Sequence, residues 1–107
     1  MSPWPLVRGQ VVRADIGLNE PKLFVIVSNN RRNQRLRDVL AVRLTTSRKP
    51  SIPSIVELDE TGVAGRAVCD DIVGLYEDEI IGLVAALSPG AMRRVDQGLA
   101  AALGLGD

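Results

Sequence analysis

Lys22 opens the apolar run KLFVIV (Lys22–Val27), and Asn29 and Asn30 follow at its far end. Arg43 and Thr45 lie in the next apolar segment, VLAVRLT (Val39–Thr45), with Thr46 directly after it. Asp70 and Asp71 interrupt a third, GRAVCDDI. Together these side chains supply positive charge, hydroxyl groups, amides and carboxylates. Histidine is absent, which removes the commonest general base and the Ser-His and Cys-His nucleophile pairs. The single cysteine, Cys69, has no neighbour that would make it a thiolate and reads as a small core residue. Asp70 and Asp71 are adjacent, so on a strand they point to opposite faces and do not chelate one metal ion together. No cofactor is implied. The Gly-containing tail LGLGD (Leu103–Asp107) follows a helix, whereas a phosphate loop opens one.

One reaction needs neither nucleophile nor metal from the protein. RNA carries its own nucleophile, the 2′-hydroxyl, tethered beside the phosphate it attacks. The protein then has only to move protons and stabilise charge on the phosphate oxygens. A lysine or arginine, a hydroxyl and some amides suffice, and Lys22, Arg43, Thr45 and the asparagines provide them.

The elements that must position these groups are short strands. GQVVRADI (Gly9–Ile16) has the β-branched content of a first strand, and GLNEP reads as a turn. The run Lys22–Val27 does not alternate, so it is expected to be buried on both faces. NNRRNQRLRD is a polar connection with one helical turn, and TSRKPSIPS is a loop broken by two prolines. Val39–Thr45, Ile55–Leu58, Gly65–Ile72 and Ile80–Leu87 supply the remaining strands, with a helical turn at YEDE. Alternation places Arg43 on the same face as Thr45. At the C-terminus Ser88 is suited to an N-cap and Pro89 to the first helical position. Met92, Val95, Leu99 and Leu103 recur at helical spacing, and Gly104 supplies the stop. Short antiparallel strands closed by one amphipathic helix make a mainly β fold, a strongly bent sheet or partly open barrel.

At 107 residues the chain, 1–107, is expected to form one domain with a core that needs no disulfide or metal. It is 46% hydrophobic but only 3% aromatic, so Val, Ile, Leu and Ala build that core. No apolar run approaches the ~18 residues a membrane span needs. The start, MSPWPLVRGQ, lacks the features of a signal peptide, so a cytoplasmic location is expected. Net charge is zero, which argues against simple adhesion to nucleic acid or membrane. The charges are nonetheless segregated: Arg31 to Lys49 is basic with only Asp38 opposing, and most acids lie between Glu57 and Glu79. That segregation fits either solvated faces or a polyanion site on one side.

The ordered pattern RGQVVRADIG … KLFVIVSNNRRN … VLAVRLTTSR … VCDDI … LSPGAMRRVDQGLAAALGL resembles the MazF/PemK (Kid) family, metal-independent endoribonuclease toxins of type II toxin–antitoxin modules. The resemblance runs from Arg8 to Leu105. It implies an SH3-like, partly open barrel of the CcdB/MazF type with a C-terminal helix. It further implies a homodimer, single-stranded RNA in a groove across the dimer interface, and a cognate antitoxin whose tail fills that groove. Lys22 falls where the family usually has a catalytic arginine, and Thr45 matches its catalytic hydroxyl. Asn29 matches a substrate-contacting asparagine, and Thr46 adjoins the catalytic position on the RNA-binding side. Asp70-Asp71 stands where the family commonly has an acidic residue followed by Gln, a pair that helps read bases. Lysine for arginine loses the planar fork, and Asp71 and Val73 depart from the family's usual Gln and Arg. Arg43 has no counterpart in the pattern and is expected on RNA phosphate. Arg31, Arg32, Arg35 and Arg37 are expected to rim the groove. A toxin of the same fold that binds a protein such as gyrase, in the manner of CcdB, and a non-enzymatic SH3-like adaptor are the competing functions. Neither of those needs Lys22 and Thr45 as a pair.

Overall fold

The apolar runs become strands in the expected order. The structure, a computed structural model, describes residues 3–60 and 62–106. Met1 and Ser2 of the N-terminal segment, Thr61, and Asp107 at the end of the Gly-containing tail lie outside the described residues. The strands are β1 (Gln10–Ala14), β2 (Lys22–Ile26), β3 (Asp38–Thr45), β4 (Ile55–Glu60), β5 (Val63–Tyr76) and β6 (Ile80–Ala86). Helix α1 (Asn30–Arg35) links β2 to β3, a 3-10 turn covers Glu77–Glu79, and α2 (Pro89–Leu103) follows β6.

All six strands form one sheet in the order β4-β5-β3-β2-β1-β6, each neighbouring pair antiparallel. The partly open barrel is thus an open sheet whose edges, β4 and β6, do not pair. Strand β5 is longer than its sequence pattern predicts. Beyond the two aspartates it continues through Val73 and Leu75, which pair with Ala41 and Val39 of β3. The acidic pair hides that continuity because it breaks the apolar pattern.

Strand β2 is buried on both faces, as its unbroken apolar run requires. Val25 joins a core cluster with Val11, Val42, Leu44 and Val95 of α2. Phe24 and Ile26 join a second with Leu6, Val12, Ala41 and Leu75, flanked by Trp4, Ile16 and Ile80. Helix α2 covers the first cluster with Ala91, Met92, Val95 and Gly98. The Ser88 hydroxyl accepts a hydrogen bond from the Ala91 N–H at 3.1 Å and donates one to Glu60 at 2.9 Å, so the helix start is capped and tied to β4. Gly104, in the left-handed conformation (φ 70°), ends it.

Gly98 sits where α2 meets the sheet. A Cβ there would lie 2.7 Å from Val56 Cγ2 and 2.8 Å from Cys69 Sγ, so the close approach requires glycine. At Gly90, in the first turn, a Cβ meets only ordinary contacts at 3.7 and 3.9 Å. Gly90→Ala should therefore stabilise by up to ~1 kcal/mol through helix propensity. Gly98→Ala should destabilise despite the same gain, because overpacking costs about 1–3 kcal/mol. Urea unfolding of both variants checks the opposite signs.

Cys69 is fully buried, with its thiol 3.7 Å from the Val95 carbonyl oxygen. Burial first, then the charges of Asp70 and Asp96, push its pKa from 9.0 up to about 11. A raised folded-state pKa means the contribution is fully present below pH 9 and is lost as pH rises toward 11. The loss is on the order of 2–3 kcal/mol. Across that window the urea midpoint of the wild type should fall more steeply than that of Cys69→Ala. Parallel curves would contradict the assignment.

Candidate active site

Lys22 is the first residue of β2 and Thr45 the last of β3. Leu23 pairs with Leu44 and Phe24 with Arg43, so the antiparallel register sets Lys22 beside Thr45 and Arg43 one pair further in. Alternation puts Lys22, Arg43 and Thr45 on the face of Phe24 and Ala41, where the second core cluster ends. All three line a cleft of about 330 Å³, together with Glu20, Thr46 and Ser47. The Lys22 side chain is 26% exposed, and its ammonium lies 3.3 Å from a Glu20 carboxylate oxygen.

The end of β3 is fixed from beneath. Gly65 of β5 (φ 108°) lies so close that a Cβ would come within 2.4 Å of the Thr45 carbonyl oxygen. The Arg66 guanidinium donates to the carbonyl of Ser47 at 3.2 Å and to Glu57 at 2.9 Å, which anchors the following loop. The Thr45 hydroxyl oxygen accepts from the Ser47 N–H at 3.1 Å. That leaves its own O–H free to donate to a ligand in the cleft.

The two aspartates separate at a bulge. Val42 faces Ile72 but Arg43 faces Val68, so residues 69–71 are left out of the ladder. Regular alternation from Val68 would bring Asp70 to Arg43's face; the extra residues put the strand out of step and bring Asp71 there instead. Asp71 lines a recess of about 90 Å³ with Arg43, Thr45, Ser47 and Lys49. Asp70 is exposed, and its carboxylate accepts from the Ser54 hydroxyl at 2.7 Å. Among the described residues no group of three His, Cys, Asp or Glu side chains is placed to hold a metal ion.

Asn29 lies elsewhere. It is the N-cap of α1, its side-chain oxygen accepting from the N–H groups of Arg31 at 2.8 Å and Arg32 at 3.4 Å. It follows the far end of β2, a strand roughly 13 Å long at ~3.3 Å per residue, so it does not share the Lys22 cleft. Asn30 accepts from the Arg8 N–H at 2.7 Å and thereby holds the N-terminal segment. Of the four connection arginines, Arg32 pairs with Asp38 at 3.0 Å, and the exposed Arg37 reaches Glu77 at 3.6 Å; Arg31 and Arg35 are exposed as well. Ser47, Lys49 and Glu20 line the site without having been singled out in the sequence. Their only signal was proximity: two follow Thr45 within the polar loop, and one precedes Lys22.

The structure thus gathers Lys22, Arg43, Thr45, Thr46 and Asp71 at one end of the sheet and leaves Asn29 and Asp70 outside the cleft. A larger hollow of about 500 Å³, lined by Arg37, Tyr76, Glu77 and Asp78, contains an ion pair and no comparable chemistry.

The family model described as "PemK-like, MazF-like toxin of type II toxin-antitoxin system" matches residues 7–103. Endoribonuclease MazF4 of Mycobacterium tuberculosis is 41% identical over 100 residues, covering 92% of this chain and 93% of its own. Endoribonuclease MazF1 of Mycobacterium bovis matches to the same extent. The solved structure of an endoribonuclease in complex with its cognate antitoxin, from a mycobacterial species, has a TM-score of 0.87 at 40% identity. It covers 94% of this chain, which in turn covers 96% of it. A MazE–MazF crystal structure from Deinococcus radiodurans, with a TM-score of 0.79 at 20% identity over 98% of both chains, has the same fold. On this match across nearly its whole length, the chain belongs to the PemK-like, MazF-like toxins of type II toxin–antitoxin systems.

Proposed function

We propose that this chain is a sequence-selective, metal-independent endoribonuclease that cleaves single-stranded RNA. The observation that carries the reading is the cleft itself: cationic groups and a free hydroxyl donor converge on it, while the Thr45, Thr46 and Ser47 hydroxyls have no histidine to activate them as nucleophiles. RNA supplies the missing part. Its 2′-oxygen forms a bond to phosphorus as the bond to the 5′-oxygen breaks. The 2′-hydroxyl loses its proton and the departing 5′-oxygen gains one, leaving a 2′,3′-cyclic phosphate and a 5′-hydroxyl. Lys22 favours the charge that builds on the phosphate or passes a proton. Thr45 donates a hydrogen bond through its free O–H.

Several features support the wider reading. The relative solved in complex with its cognate antitoxin supports a cognate antitoxin as partner; that the antitoxin's tail occupies the RNA groove is what the family resemblance implies. Edge strand β6 leaves Ile81, Leu83 and Val84 exposed, an apolar edge that a second copy would cover, which favours a homodimer. Asn29, too far along β2 to join Lys22's cleft, would meet RNA where the groove extends across that dimer. No helix of the described residues is long and apolar enough to cross a membrane, in keeping with action in the cytoplasm. A protein-binding toxin or an adaptor has no use for the Lys22–Thr45 pair.

Incubating the protein with long single-stranded RNA in EDTA should give discrete cuts ending in 2′,3′-cyclic phosphate. Lys22→Ala and Thr45→Ala should each slow single-turnover cleavage at least ~10²-fold with little loss of stability. Lys22→Arg, which keeps the charge, should retain measurable activity. Intact RNA with wild type, or full activity in both alanine variants, would refute the reading.

The position of Asp71 in the recess beside Arg43 supports a role for it in reading a base. An ionised carboxylate accepts hydrogen bonds but cannot donate them, whereas glutamine does both. Asp71→Gln should therefore shift the preferred base at one position of the cut site. Asp70→Asn, whose native carboxylate is engaged by Ser54, should leave the profile in place. Sequencing cut ends from a randomised RNA pool distinguishes these outcomes, and identical profiles for wild type and Asp71→Gln would remove Asp71 from recognition.

A further inference from the structure

Arg43 is the residue common to three adjoining cavities. It lines the cleft with Lys22 and Thr45, the recess with Asp71 and Lys49, and a hollow beneath the β1–β2 connection with Gly17, Leu18 and Asn19. Its Nε is shut off from water and has no hydrogen-bond partner. No ion pair involves it among the described residues, although Asp71 lines the same recess. Lys22 differs, since Glu20 already sits beside its ammonium.

A half-buried guanidinium with an unmet donor destabilises the fold unless something supplies an acceptor. An anion in the cleft would supply acceptors to its terminal N–H groups and offset that cost, while the occluded Nε stays unmet. A guanidinium also presents paired donors in a plane, which match two oxygens of one phosphate, whereas an ammonium acts as a point charge. We infer that Arg43, and not Lys22, is the catalytic residue that binds the two non-bridging oxygens of the scissile phosphate. As the 2′-oxygen attacks, negative charge grows on those oxygens and Arg43 stabilises it. Lys22, with Glu20 beside it, is left to the proton traffic of the leaving and attacking oxygens. The inference rests on the ribonuclease reading of this cleft and assigns its charge-stabilising role to a residue one cross-strand pair deeper.

The test uses a short RNA cleaved at one site in EDTA, with the scissile phosphate normal or replaced by each phosphorothioate diastereomer. Because Arg43 contacts both non-bridging oxygens, wild type should be slowed by sulfur in either diastereomer. Arg43→Met fills similar volume and removes the unmet donor. It should cleave the normal substrate at least ~10²-fold more slowly at saturating RNA, lose most of the slowing by sulfur in both diastereomers, and melt no lower than wild type. Arg43→Lys keeps the charge without the fork. It provides the second reading should the methionine variant fold poorly, and an intermediate rate with a weakened sulfur effect is expected. Wild-type rate, or an undiminished sulfur effect in a folded Arg43 variant, would overturn the assignment. Failure of the wild type to cut any RNA in EDTA would instead overturn the ribonuclease reading beneath it.

Discussion

The pairing of β2 with β3 is the constraint on which the rest depends. Leu23 opposite Leu44 and Phe24 opposite Arg43 fix at once which residues enter the core and which reach the cleft. A slip of one residue would send Phe24 and Ile26 to the other face and carry Lys22 away from Thr45. Because β2 is buried on both sides, between the two core clusters, such a slip would misplace side chains in both. The geometry of the site is therefore protected by the hydrophobic effect acting on its neighbours. No hydrogen bond between the functional side chains themselves is needed to hold it.

The same logic explains why a core strand has a lysine at one end and amides at the other. Between Leu23 and Ile26 neither face has room for a polar group. Only the strand ends, where the core runs out, can present one. The near end carries Lys22 to the cleft. At the far end Ser28, Asn29 and Asn33 mostly satisfy backbone: Ser28 and Asn33 bond each other at 2.5 Å inside the protein, and Asn29 caps α1. What looks in the sequence like one polar boundary is thus two: one opens on the cleft, and the other turns the chain into α1.

Much of this was legible in the residues. The places of the strands along the chain, the Ser88–Pro89 helix start and the shared face of Arg43 and Thr45 follow from periodicity and capping, because these are local rules. What was not legible is non-local. The bulge that turns Asp71 toward Arg43 and leaves Asp70 with Ser54 arises where β5 passes from the end of β3 to its beginning, and simple alternation assigns the two aspartates the other way round. The capping role of Asn29 was hidden for a related reason: an asparagine before a short polar helix and one before a loop look alike until the Arg31 and Arg32 N–H groups are placed. Gly65 had no signal beyond being glycine; its necessity comes from the Thr45 carbonyl on another strand.

A chain with no net charge must still hold cations together where they work. Lys22, Arg43 and Lys49 line connected cavities, and any acid that paired fully with all of them would fill the space a substrate needs. The balancing carboxylates are placed accordingly. Glu57 is used on Arg66, Glu60 on the start of α2, Asp96 on Arg8 and Asp38 on Arg32, each stabilising a joint of the scaffold. Glu20 lines the cleft beside Lys22, and Asp71 lines the adjoining recess with Arg43 and Lys49 without forming an ion pair to either, leaving the site with surplus positive charge. Exposed pairs of this kind contribute little apiece. Their arrangement matters more for where the field points than for stability: a neutral protein keeps one positive cleft because its acids are occupied elsewhere. In such a cleft, shielded by low-dielectric walls, one unpaired guanidinium outweighs a larger number of solvated arginines on the α1 connection.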